Sequence, residues 1–298
     1  MTEANTPAAP FRHDALLYSS LDDYLAGTVP FIRDGLEAGE QVLVVLAQGK
    51  LDAVRDALGT DGAHVQFADM LAVGRNPACI IPAWADFVAG SDRPVRGIGE
   101  PVWAERTPAE LAEAQLHEAL LNRAFAGRPG FWLRCPYDLT TLPPEVISAV
   151  QHSHPVPDDS SHATLAGRLP EPADVAERLE YDVGTLPAVR HTVRAHAERG
   201  GLDGARIRHL VLAVHEAAAN SVRHGGGRGV LRIWGEGRAL VCEVADRGHI
   251  TDPLIGRVRP HPNAGSGRGL WIINQLCDLV QVRSSGAGTV VRMHQLAV

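Results

Sequence analysis

From Arg206 to Arg223, apolar residues recur at Ile207, Leu210, Val211, Val214, Ala218 and Val222, and the pattern stops at Gly225-Gly226-Gly227. That period is helical and marks one face for burial. Asp203 supplies an N-cap, and the glycines end the helix. Glu216 and Asn220 are four residues apart on this helix, so they point the same way, about one turn apart. A carboxylate and a carboxamide stacked in this way can serve one metal–phosphate centre. Asn220 offers a neutral oxygen of the kind Mg²⁺ takes, and Glu216 can polarise a hydroxyl or water for attack on phosphorus. The pair alone fits an exposed polar helix face equally well.

Two further segments extend the pattern. Ala239 to Ala245 is nearly continuous apolar sequence, a strand, and Asp246-Arg247-Gly248 stands at its end. A carboxylate there can accept from an adenine amine, and Gly248 lets backbone approach a flat ring. The same three residues also make an ordinary turn. Gly265-Ser266-Gly267-Arg268-Gly269 then leads into a helix from Leu270 to Cys277. Glycines 265, 267 and 269 free backbone N–H groups to face an anion, the helix dipole adds to the attraction, and Arg268 brings a cation. The spacing is neither the dinucleotide fingerprint nor a Walker A loop. His249 to Ala264, rich in Pro, Gly and Arg, has the length of a lid. Strands at Leu279–Ser284 and Gly288–Met293 close the chain, and Thr289 can add a hydroxyl near the base.

The order Glu-x-x-x-Asn, Asp-x-Gly, Gly-x-Gly-x-Gly-Leu, Gly-Thr-x-Val resembles the GHKL ATP-binding fold, an α+β two-layer (Bergerat) sandwich. Within it, residues 175–298 look most like the anti-sigma-factor serine kinases of bacterial partner-switching systems. The resemblance implies ATP and Mg²⁺ as cofactors. It implies Glu216 as catalytic base, Asn220 as Mg²⁺ ligand, Asp246 and Gly248 as adenine contacts with Thr289 nearby, and Gly265, Gly267, Arg268 and Gly269 around the phosphates. His224 matches a recurrent position after the helix. A sigma factor or a serine- or threonine-bearing antagonist protein is the implied partner, and a homodimer is compatible with it. Some relatives only bind ATP, so an ATP-dependent protein-binding module is the alternative. A histidine-kinase-like output is a further one, although 152–180 is too short and Pro-rich for a dimerising hairpin.

The first half reads as α/β. Gln41–Ala47 is a short β-branched run of a buried strand, with helical patterns before it (Leu21–Glu37) and after it (Leu51–Leu58). Further strands are expected at 64–67, 94–99 and 131–135, and helices at 81–88 and 108–125. The alternation predicts a mostly parallel sheet. Gly49-Lys50 is not a P-loop, because Leu51 follows; a surface lysine after a strand–helix turn is expected. The pieces around His13–Tyr18, Gly99–Trp103 and Cys135–Asp138 resemble the MEDS sensory domain of methanogen and methylotroph regulators, over residues 11–151, with a RecA-like fold lacking its nucleotide loop. That implies small-molecule sensing of hydrocarbon derivatives, with His13, Tyr18, Glu100, Cys135 and Tyr137 lining a pocket. The same residues also serve as packing and turn residues in such a fold.

The length of 298 residues fits two domains, joined by a Pro-, His- and Ser-rich linker at 152–174. A net charge of −7, from 28 basic and 35 acidic residues, argues against DNA binding. No stretch approaches a membrane span, and Met1–Pro10 lacks a signal pattern. The four cysteines are scattered, as expected of reduced thiols in a cytoplasmic protein, and the 14 histidines form no metal-ligand spacing in sequence.

Overall fold

In a computed structural model of the chain, residues 10–153, 164–261 and 267–297 are described. The chain divides into two compact units, residues 1–158 and 159–298.

The first unit holds strands β1 (Arg12–Tyr18), β2 (Gln41–Leu46), β3 (Val65–Asp69), β4 (Val95–Gly99) and β5 (Phe131–Asp138). They form one sheet in the order β1-β5-β4-β2-β3, and every neighbouring pair is parallel. Helices α1 (Leu21–Glu37), α2 (Gln48–Leu58), α3 (Met70–Val73), α4 (Ile80–Ala89), α5 (Pro108–Phe125) and α6 (Pro144–Ser153) alternate with the strands. Parallel strands need such crossovers, and burial on both faces explains the unbroken apolar run of β2. Local signals start the helices where the sequence expects them. Ser20 caps α1, and Thr107 and Glu110 form a capping box on α5 with Pro108 in its first turn. Gly97 and Gly99 let the Trp84 indole lie on β4; a Cβ at either would stand 2.8 or 2.9 Å from that ring.

The second unit has strands β6 (Glu177–Asp182), β7 (Arg228–Glu236), β8 (Ala239–Asp246), β9 (Leu279–Ser285) and β10 (Gly288–Leu296). They run β6-β7-β8-β10-β9, antiparallel throughout. Helices α7 (Leu186–Arg199), α8 (Gly204–His224) and α9 (Arg268–Leu276) form the second layer. Val189 and Val193 of α7, Leu210 and Val214 of α8 and Ile273 of α9 meet Leu231, Ile233, Cys242 and Met293 of the sheet in one core. A strand buried on one face alternates apolar and polar residues, as β7 does.

Within the segment expected to link the domains, Pro170 and Glu171 hydrogen-bond to the second sheet. Arg292 donates to the Pro170 carbonyl (2.8 Å), and Arg232 to the Glu171 carboxylate (2.7 Å). The same two arginines flank Glu243, which is buried; Arg292 Nε donates to it at 2.9 Å. A buried carboxylate between two guanidiniums is a charge matched at close range. Among the described residues, no helix is long and apolar enough to cross a membrane. All four cysteines are free.

Candidate functional site

Helix α8 carries the first part of the candidate site. Asp203 Oδ1 accepts from the Ala205 and Arg206 amides at 2.7 and 2.9 Å, which fixes where the helix begins. Ile207, Leu210, Val214, Ala217, Ala218 and Ser221 turn into the core. Glu216 and Asn220 lie beside that stripe, both partly exposed. They keep the spacing that the sequence sets.

Asp246, at the end of β8, is held by three segments. Its Oδ2 accepts from the Ser221 hydroxyl at 2.6 Å, and its Oδ1 from the Gly248 amide at 2.7 Å. The Arg247 amide donates to the Gly225 carbonyl (3.2 Å), closing the turn onto the end of α8. Gly225 is required there, since a Cβ would lie 2.3 Å from Asp246 Cγ. On the far side, Thr289 pairs with Asp246 across β8 and β10. Its hydroxyl donates to the Gly248 carbonyl at 2.9 Å and lies 2.8 Å from the Ser284 hydroxyl. Tyr181 also faces this corner. Burial, together with the nearby Asp246 charge, pushes its phenol up to about 12.

The start of α9 also approaches α8, at Asn220. Gly267 caps α9 with φ 87°, a left-handed conformation that glycine adopts without strain. Arg268 and Gly269 form the first turn, and a Cβ at Gly269 would stand 2.6 Å from Asn220 Nδ2. Backbone N–H groups at a helix start, set against a carboxamide with no intervening side chain, make a place where an anion and its cation fit. The residues present therefore suit Mg·ATP. Gly265 lies outside the described residues.

The expected lid is partly anchored. Ile250 and Ile255 pack against the core, and the Asn274 side chain donates to the Gly256 carbonyl at 2.8 Å. A Cβ on Gly256, at φ 76°, would meet Leu270 Cβ at 2.7 Å. Arg259 stands over the Trp271 ring, 5.6 Å from its centroid.

Asn220 with Gly269, and Asp246 with Gly248 and Thr289, are thus brought together, the first pair at Asn220 and the second group at the adjacent Ser221 of α8. His224 is the exposed last residue of that helix, and its carbonyl rather than its ring borders Gly248. Sequence reasoning passed over Ser221, Ser284 and Asn274, and read Gly225 only as part of the helix stop. Ser221 alone left a trace, as a polar residue on the apolar stripe of a helix.

In the first unit, the five expected pocket residues fall into two groups. Tyr18 and Glu100 stand at the carboxyl ends of β1 and β4, hydrogen-bonded at 2.7 Å. Lys50 joins them, with Nζ 2.6 Å from Glu100 Oε1 and in contact with the Tyr18 hydroxyl. The lysine expected at the surface is therefore partly buried and paired, because β2 and β4 are neighbours and their ends converge. Burial raises the Glu100 pKa, and Lys50 opposes that shift. Burial and the Glu100 charge raise that of Tyr18. His13 and Cys135 form the second group with Glu118 of α5, which sequence reasoning did not single out. Tyr137, fully buried, belongs to this second group, and burial followed by the Glu118 charge raises its pKa.

Residues 12–155 match the model of the methanogen/methylotroph DcmR sensory domain, MEDS. Residues 179–295 match the histidine kinase-like ATPase domain. No curated protein matches the chain. Two solved structures give weak likenesses. The RsbU and RsbW domains of Rv1364c from Mycobacterium tuberculosis share 20% identity at a TM-score of 0.31, over 41% of this chain and 32% of that one. The chain thus spans about a third of that structure's length. The histidine kinase AdeS of Acinetobacter baumannii shares 12% identity at a TM-score of 0.26, over 64% of this chain and 96% of that one. The chain carries an amino-terminal MEDS domain followed by a histidine kinase-like, GHKL-type ATPase domain.

Proposed function

We propose that the second unit is an ATP-dependent protein serine/threonine kinase of the anti-sigma-factor type, regulated by the MEDS domain. One observation supports this most. Asn220, with Glu216 a turn before it, abuts the glycine start of α9, while the same helix ends on the fixed Asp246 carboxylate. Neighbouring residues of one helix, Asn220 and Ser221, thus contact the proposed phosphate-binding and base-recognising groups.

In this reading, Asp246 accepts from the adenine amine. The Gly248 backbone and the Thr289 hydroxyl bound the ring. Gly265, Gly267, Arg268 and Gly269 receive the phosphates, and Asn220 is a ligand of Mg²⁺. When bound, Mg²⁺ neutralises charge on the phosphate oxygens. Glu216 takes the proton of the acceptor serine or threonine as its oxygen bonds to the γ-phosphorus, and ADP leaves with the electrons of the broken P–O bond. The protein acceptor is an antagonist, and a sigma factor is the protein held. Tyr18, Lys50 and Glu100, at the carboxyl ends of parallel strands, lie where such sheets take small ligands, so the sensed molecule belongs there.

Purified full-length chain, labelled ATP and candidate antagonists test the proposal. Wild type transfers label to a serine or threonine. Glu216→Ala loses transfer and keeps ATP affinity. ATP binding without transfer to any antagonist would favour a nucleotide-dependent binding module instead. Acid-labile autophosphorylation would favour a histidine kinase.

A further inference from the structure

His13, Glu118 and Cys135 are far apart in sequence, yet their ligand atoms all lie within 4.8 Å of one another, and all three side chains are buried. Three elements bring them together. His13 is on β1 and Cys135 on the adjacent parallel strand β5, where His13 pairs with Leu133 and Ala15 with Cys135. Side chains two residues apart on a strand share a face, so His13 and Cys135 emerge on the same side of the sheet. Glu118 reaches that side from α5.

The two distances from His13 are compatible with ligands sharing a cation. His13 Nε2 lies 3.3 Å from Cys135 Sγ and 3.2 Å from Glu118 Oε2. Tetrahedral zinc bonds of about 2.0–2.3 Å place neighbouring ligand atoms about 3.3–3.6 Å apart. Imidazole, thiolate and carboxylate are the three side chains that zinc takes, and a thiolate disfavours Mg²⁺ and Ca²⁺. His117 Nε2 lies 3.9 Å from Oε1, the other carboxylate oxygen, which is beyond hydrogen-bond reach. Protons shared among the three groups are the competing way to hold them together.

We propose that His13, Glu118 and Cys135 bind one divalent transition-metal ion of the zinc class. Three protein ligands leave one tetrahedral position for a small donor such as water. The site is separate from the Mg²⁺ site of the ATPase domain, and its existence does not depend on kinase activity.

The test uses full-length chain produced in medium supplied with Zn²⁺ or Co²⁺, which lets a buried site fill during folding. One equivalent of zinc per chain is expected after desalting. The cobalt protein should show a thiolate-to-cobalt charge-transfer band, which the oxygen and nitrogen donors of a Mg²⁺ site cannot give. Cys135→Ser should lose that band, and His13→Ala should lose stoichiometric metal. Glu118→Gln, which keeps shape and hydrogen-bonding capacity, should lose metal while its circular dichroism is unchanged. A metal-free wild type overturns the proposal, as does bound cobalt without a thiolate band or a band that survives Cys135→Ser. Should the variants not fold, the wild-type metal content and spectrum decide alone.

Discussion

The Ser221 hydroxyl lies 2.6 Å from Asp246 Oδ2 and ties the last turn of α8 to the end of β8. The Gly248 amide holds the other oxygen. The carboxylate is therefore oriented by the fold before any nucleotide arrives. Asparagine at 246 can keep both contacts, with its oxygen toward Gly248 and its amide toward Ser221. What it loses is the charge. Asp246→Asn should weaken ATP binding by about 1.5–3 kcal/mol, roughly ten- to a hundredfold. Calorimetry at fixed Mg²⁺ reads this directly, and unchanged affinity would make Asp246 a turn residue only.

Gly269→Ala probes the other end of the site. The added Cβ would stand 2.6 Å from Asn220 Nδ2, so the carboxamide must move. Alanine favours helices over glycine by about 1 kcal/mol, so α9 itself should not suffer. The Mg²⁺-dependent part of ATP affinity should fall, while affinity measured in chelator changes little. Equal loss in both conditions would separate Asn220 from the metal.

Helix α8 was legible because its period, its cap and its glycine stop agree with one another. β2 and β8 were legible because continuous apolar runs have few other uses. β6 was not: Glu177–Asp182 alternates charged and apolar residues in a short edge strand, and its tyrosine packs on Gly229, which no local pattern announces. The residues proposed for the ATP site could be named from sequence because their motifs are local. Ser221 and Lys50 were missed as site residues because each acquires its role from a partner on another element, Asp246 in one case and Glu100 in the other. The absence of metal-ligand spacing among the histidines had the same cause. His13, Glu118 and Cys135 meet only once β1, β5 and α5 are assembled.

Lys50→Met removes the cation beside the buried Glu100 carboxylate. Breaking a buried pair from one side costs about 3–5 kcal/mol, and the lower end applies because Lys50 remains partly exposed. Adding Glu100→Leu should recover most of that loss. Denaturant midpoints of the two single variants and the double variant give the coupling. Additive losses would show that the pair is not coupled.

The same carboxyl predicts a pH dependence. Burial, opposed by Lys50, holds the Glu100 pKa above its ordinary 4.5. The folded chain thus keeps this proton to higher pH than the unfolded chain does. The resulting stability is fully present below the unfolded value and is lost as pH rises through the folded one. Glu100→Gln should flatten this fall, and Lys50→Met should extend it to higher pH. Urea midpoints measured across that range check both. Superimposable profiles for wild type and Glu100→Gln would rule out Glu100 as the source.

Asn220, Ser221, Gly248, Gly269, Ser284 and Thr289, which brace or border the candidate nucleotide site, all belong to the second unit, as does Asp246 itself. The ATPase half is in this sense portable. It carries its own scaffolding, so evolution can exchange the module in front of it without redrawing the chemistry. Control from such a module has to work by changing poise or access, since it need not contribute an atom to the reaction.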